Sequence, residues 1–169
     1  MNNQIVTRTL LYKVKHTKFN DTPSDLTIGI LDSDVPTNII SYAKVLPDNY
    51  ADYIKTGKGL PCIRFDQEEK ALVGDVEEIA SAKEPLSPIR SLFYEKLIGG
   101  DSGNPMFIII NNQPVILTVW TMGGGGDGTS ITKFKNDING RMRSLDYRAR
   151  NADTYQLQEI DLSGFNSLP

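Results

Sequence analysis

The chain has 169 residues, a formal net charge of -3 and 39% hydrophobic residues. That length fits one globular domain or two very small ones, and the composition excludes a disordered chain. Both charge signs are spread along the sequence, which argues against a general nucleic-acid binder with its basic patch.

The N-terminal stretch "MNNQIVTRTLLYKVKH" is interrupted by Arg8, Lys13 and Lys15 and offers no signal-peptide core. No apolar run approaches the roughly 20 residues that a membrane helix needs, so a soluble chain without a membrane partner is expected. Residues 7–17 alternate and are rich in strand formers, which predicts a strand. Residues 18–25 are polar and contain Pro23, which predicts a loop, and 26–31 ("LTIGIL") predict a short second strand. Residues 41–59 read either as a connector or as a stretch with a helical turn near Tyr50.

Two strands are expected at 60–66 and 70–80, joined by a charged turn, followed by a proline-bearing loop at 81–91. Cys62 is the sole cysteine, so no internal disulfide forms; it reads as a small buried hydrophobe, with a reactive thiol as the alternative. "MFIII" (106–110) and "PVILTVW" (114–120) give the strongest hairpin signal, with Asn111, Asn112 and Gln113 as the turn. Residues 121–130 are a glycine-rich loop. Residues 131–145 start as strand and become helical, with Ile138, Met142 and Leu145 at helical spacing and Gly140 weakening the pattern. The tail from 151 either packs along the domain edge or leads onward. Many short strands separated by turn signals predict an all-β barrel or sandwich.

Directly before the hairpin stands "GGDSGNP" (99–105). A serine hydroxyl attacks a carbonyl only when a base takes its proton and donors hold the oxyanion that forms. Two convergent backbone N–H groups make such a hole, and glycine reaches the required backbone angles at least cost. Gly100 and Ser102 are placed to supply them. An ordinary Gly-Asp-Ser-Gly turn is the plain alternative.

The loop resembles the nucleophile loop of the trypsin-like, chymotrypsin-fold serine proteases, whose usual form is Gly-Asp-Ser-Gly-Gly-Pro. The hairpin after it, Trp120, the glycine-rich loop and the C-terminal helix follow in that family's order, and "SDLTIGIL" (24–31) is similar to the strand bearing the triad aspartate. The resemblance spans about residues 7–145. It implies an all-β, chymotrypsin-like antiparallel fold: a remnant of a first barrel at 1–40, a connector at 41–59, a second barrel with the nucleophile loop and a helix at 60–145, and a tail at 146–169.

By the same resemblance Ser102 is the nucleophile, the N–H groups of Gly100 and Ser102 form the oxyanion hole, and Asp25 orients the base, at a spacing of 102 − 25 = 77 residues. Val119, Trp120 and Thr121 stand for the usual Ser-Trp-Gly of the substrate-binding segment. Asn104 replaces a glycine. Lys96 lies near the position that sets the specificity pocket, where it would favour acidic side chains; a solvated lysine is the alternative, and a Ser–Lys pair with Ser102 a remote third. Asp101 matches a structural aspartate. The implied partner is a peptide or protein substrate, with no cofactor and no metal.

The triad also needs an imidazole. The chain has one histidine, His16, only 25 − 16 = 9 residues before Asp25, which reads as a loop or surface residue better than as the base. The preferred explanation is a truncated sequence whose base-bearing segment is missing. The others are a second chain supplying that segment, or a protease-like scaffold serving as a binding or structural module, for instance in a viral particle. A partial barrel would expose strand edges and invite association.

Overall fold

The computed structural model describes residues 5–19, 22–53, 60–65, 71–77, 87–89, 100, 102–120 and 128–164. They form two antiparallel sheets and one C-terminal helix. The first sheet is the hairpin of β1 (Leu10–Phe19) and β2 (Thr22–Leu31). The second is six-stranded. Its strands are β3 (Leu60–Phe65), β4 (Ala71–Glu77), β5 (Ser87–Ile89), β6 (Pro105–Ile110), β7 (Gln113–Trp120) and β8 (Gly128–Ser130), in the order β5-β4-β3-β6-β7-β8. Among the described residues no ladder joins β5 to β8.

The centre of the large sheet is the hairpin that the sequence marks most clearly. β6 alternates so that Met106, Ile108 and Ile110 are buried, and Val115 and Leu117 answer them from β7. Its turn is tighter than expected. Only Asn111 (φ 50°) and Asn112 (φ 61°) form it, while Gln113 already pairs with Ile110. Two successive left-handed residues define the hairpin turn whose twist matches that of the strands, and asparagine is among the few residues that tolerate it.

The first hairpin corrects the reading of 18–25 as a loop. β1 runs to Phe19 and β2 starts at Thr22, so only Asn20 and Asp21 separate them, and these two lie outside the described residues. Pro23 falls inside β2. Proline cannot donate to a ladder, but the ladder shifts register between the Thr17–Asp25 and Phe19–Thr22 pairs, so Pro23 falls at an irregularity, where proline is tolerated.

β8 is followed by a turn and then by α1 (Lys135–Arg150), which runs five residues past the expected end at Leu145. Asn151, left-handed at φ 55°, caps it and returns its N–H to the carbonyl of Tyr147. α1 packs on both β1 and β2, and β2 also touches β8. Ile138 on α1, with Phe134, Ile131 and Val45, forms a buried cluster that Leu26 and Ile28 of β2 and Val119 of β7 join. A second cluster holds Leu46, Tyr50, Cys62, the inward residues of β6 and β7, and Ile160 and Leu162 of the tail.

The connector contains a 3-10 turn at Tyr50–Tyr53, and its residues 44–45 bridge the sheet to the tail. Lys44 donates its N–H to Pro114 and accepts from Ile116, while Val45 donates to Gln158 and accepts from Ile160. The tail therefore docks along the sheet. Lys135, at the start of α1, locks this junction. Its ammonium is buried and reaches Asp48 Oδ1 at 2.6 Å, the Leu46 carbonyl at 3.3 Å and the Glu159 carboxylate. Burial works against the charge, but the hydrogen bonds to Asp48 and Glu159 outweigh it and hold the lysine above its ordinary pKa. Among the described residues no helix is long and apolar enough to cross a membrane.

Candidate functional site

Ser102 is exposed on a turn that feeds straight into β6. Glycines with positive φ stand on both sides of it, Gly100 at 116° and Gly103 at 95°. Side-chain-bearing residues rarely adopt such angles, so the loop needs glycine at both positions. A Cβ on Gly103 would meet nothing within 4 Å, so backbone conformation, not crowding, accounts for that glycine.

The exit from this loop is held by a device that explains the asparagine. β3 and β6 pair at Ile63 with Phe107 and at Arg64 with Met106. Continuing that register places Phe65 opposite Pro105, which has no N–H to give. Asn104 supplies the donor instead: its Nδ2 donates to the Phe65 carbonyl at 2.9 Å. The rings of Phe65 and Phe107 pack beside it, their centroids 5.8 Å apart. On the other side Pro105 pairs with Val119 of β7. The loop is thus fixed to strands on both flanks just after Ser102.

Val119, which pairs with Pro105 at the end of this loop, packs against the same buried cluster as the strand bearing Asp25. Leu26, the residue after Asp25, packs in the same cluster as Val119. In the hairpin ladder Asp25 pairs with Thr17, and His16 pairs with Leu26 on the neighbouring rung. The side chains of Asp25 and His16 lie outside those described. Trp120 ends β7 opposite Gly128. Lys96, Asp101 and Thr121 lie outside the described residues. Cys62 is buried in the core, as a small hydrophobe would be. Among the described residues no group of three or more histidine, cysteine, aspartate or glutamate side chains is placed to hold a metal.

Sequence reasoning missed a polar assembly at the end of α1. Asp146 is fully buried and accepts from the Thr154 N–H at 2.9 Å, the Thr154 hydroxyl at 3.0 Å and the Arg150 guanidinium at 2.9 Å. The Thr154 N–H, acting against burial and joined by the Thr154 hydroxyl and Arg150, holds this carboxyl below its ordinary pKa. Arg150 continues to the Tyr155 hydroxyl at 2.7 Å, and that hydroxyl donates to Asp34. Arg8 in turn donates to the Asp34 carbonyl at 2.8 and 3.0 Å. This chain of contacts ties α1 and the tail to the turn after β2. Beside it a cavity of about 250 Å³ opens between β2 and α1, lined by Ile28, Ile30, Tyr42, Met142 and Leu145 among others. The i, i+4 spacing of Asp146 and Arg150 was the one signal for the assembly in the sequence; the reach to Thr154 and Asp34 had none.

No protein-family model matches the chain, and no curated protein matches it in sequence.

Proposed function

We propose that the chain is a trypsin-like serine endopeptidase homologue with Ser102 as its nucleophile, with little or no turnover by itself because the catalytic histidine is absent, the six-stranded sheet standing for the second barrel of that fold and the β1–β2 hairpin for part of the first. The observation that carries this reading is the exposed Ser102 between two positive-φ glycines at the mouth of a buried strand. In the proposed reaction the Ser102 Oγ bonds to the carbonyl carbon of a peptide, its proton passes to a base, and the N–H groups of Gly100 and Ser102 receive the oxyanion. Collapse of that intermediate releases the amine, which takes the proton from the base, and leaves an acyl-serine that water then hydrolyses. Asp25 orients the base, and Val119, Trp120 and Thr121 hold the substrate backbone, with Lys96 at the pocket.

The second reading is a non-catalytic, protease-like binding or structural module. It is favoured by the single histidine of the sequence, His16, which lies in β1 on the rung beside Asp25.

Fluorophosphonate labelling with and without added imidazole, which substitutes for a missing base, separates the two. Modification mapped to Ser102 by mass spectrometry and abolished by Ser102→Ala supports the enzyme reading. Absence of modification in both conditions overturns it and leaves the module.

A further inference from the structure

We propose that the outer face and free edge of the β1–β2 hairpin form a docking surface for an extended acidic peptide segment, added as a third strand along β1. The inference does not depend on Ser102.

The hairpin has two unlike faces. Toward α1 it turns Leu26, Ile28 and the buried Ile30, and Arg148 lies over the Tyr12 ring at 4.3 Å. The opposite face carries Lys13 and Lys15 from β1 and Thr27 from β2, with Leu11 at a register shift between Leu10 and Tyr12, all exposed; Gly29 and Leu31 are exposed too and also border the cavity between β2 and α1. Leu10 folds onto this face as well. A Cβ on Gly29 would stand 2.5 Å from Leu10 Cδ1, so Gly29 leaves the room that Leu10 occupies. Leu10, Leu11 and Leu31 remain 51%, 43% and 37% exposed.

Among the described residues β1 has no ladder partner other than β2, and the edge of such a strand is the place where an added strand pairs its backbone. An added strand presents alternate side chains to one face, at roughly 6.5–7 Å. Lys13 and Lys15 stand at that same two-residue interval, next to Leu11. The complementary strand carries two carboxylates opposite the lysines and, toward the register shift at Leu11, an apolar residue. A second copy of β1 does not fit, because antiparallel self-pairing sets lysine against lysine or against leucine.

The probe is the capped, fluorescein-labelled peptide Thr-Glu-Thr-Glu-Thr-Val-Thr, with an analogue carrying lysine for glutamate, titrated into the full chain and followed by anisotropy. The acidic peptide is expected to bind roughly tenfold tighter than its lysine analogue. The double variant Lys13→Glu/Lys15→Glu, whose side chains are exposed and whose fold is checked by circular dichroism, is expected to reverse that preference. Backbone amides of residues 10–15 are expected to gain exchange protection on adding the acidic peptide. Equal binding of both peptides, an unreversed preference in the variant, or self-association that already protects the β1 edge without peptide would each overturn the proposal.

Discussion

The β6–β7 and β1–β2 hairpins are written in similar alternating sequence, yet they occupy opposite ends of the scale of burial. In the first, Met106, Ile108, Ile110, Val115 and Leu117 are all at most 4% exposed. In the second, Ile30, at 9%, is the one described side chain that counts as buried, while Leu10, Leu11 and Leu31 stay open. Neighbours make the difference. β6 and β7 have β3 on one flank, β8 and Lys44 on the other, and the tail beyond, whereas the β1–β2 hairpin rests chiefly on α1. An alternating pattern makes a strand, but what covers it decides whether the strand is core. The candidate nucleophile grows from the covered hairpin, which suits a site that must hold its geometry.

The variant with the largest expected effect removes what fastens the exposed hairpin. Asp146→Ala leaves the Thr154 N–H and Arg150 without their buried acceptor, so that Arg150 loses the anchor from which contacts run through Tyr155 to Asp34 and Arg8. It should lower Tm further than truncation of a core leucine such as Leu117, and hydrogen exchange should show β1 and β2 losing protection before β6 and β7. Acid should act in the same direction. The Asp146 carboxyl titrates below its ordinary 3.8 in the folded chain, so its contribution is complete above that value and is lost as pH falls through the folded one. A wild-type acid transition that Asp146→Asn leaves unmoved would remove Asp146 as its cause.

Leu117→Ala tests the comparison directly. Leu117 is 2% exposed in the main core, and its truncation should cost about 2–5 kcal/mol by urea denaturation. Leu11→Ser on the open face of β1 should stay within about 0.5 kcal/mol of wild type. Comparable losses at the two positions would mean that the first hairpin is covered after all.

What could be read in the sequence follows the same division. β6 and β7 were legible because inward positions alternate on both sides of an asparagine pair, three before it and two after. The 3-10 turn at Tyr50 is one of two readings that its stretch of sequence allows, and docking is one of two for the tail. The stretch 18–25 misleads because Pro23 and its polar neighbours look like a loop, and the register shift that lets proline remain in the strand leaves no mark in the sequence. The end of α1 escapes because residues 146–150 are polar and mostly exposed; their helix is held by Asp146 reaching residues outside it. At the candidate site, the glycines on either side of Ser102 could be read from the need for positive φ. The role of Asn104 could not, because it depends on Pro105 facing Phe65 across two strands that are distant in sequence.

Two smaller substitutions refine the contrast at single backbone positions. Asn112→Val puts a β-branched residue at φ 61° in the turn of the covered hairpin and should cost about 1–2 kcal/mol, while leaving the strands in register. Gly140→Ala works the other way. Gly140 lies in the middle of α1, where glycine costs about 0.8–1 kcal/mol relative to alanine. A Cβ there meets nothing within 4 Å, so the new methyl brings no clash to offset the gain. Stability should rise by up to about that amount, read as a higher urea midpoint with an unchanged slope. Because α1 is the main support of the β1–β2 hairpin, exchange protection in β1 and β2 should rise with it. A stabilised helix with no added protection in that hairpin would show that the hairpin opens independently of the surface it rests on.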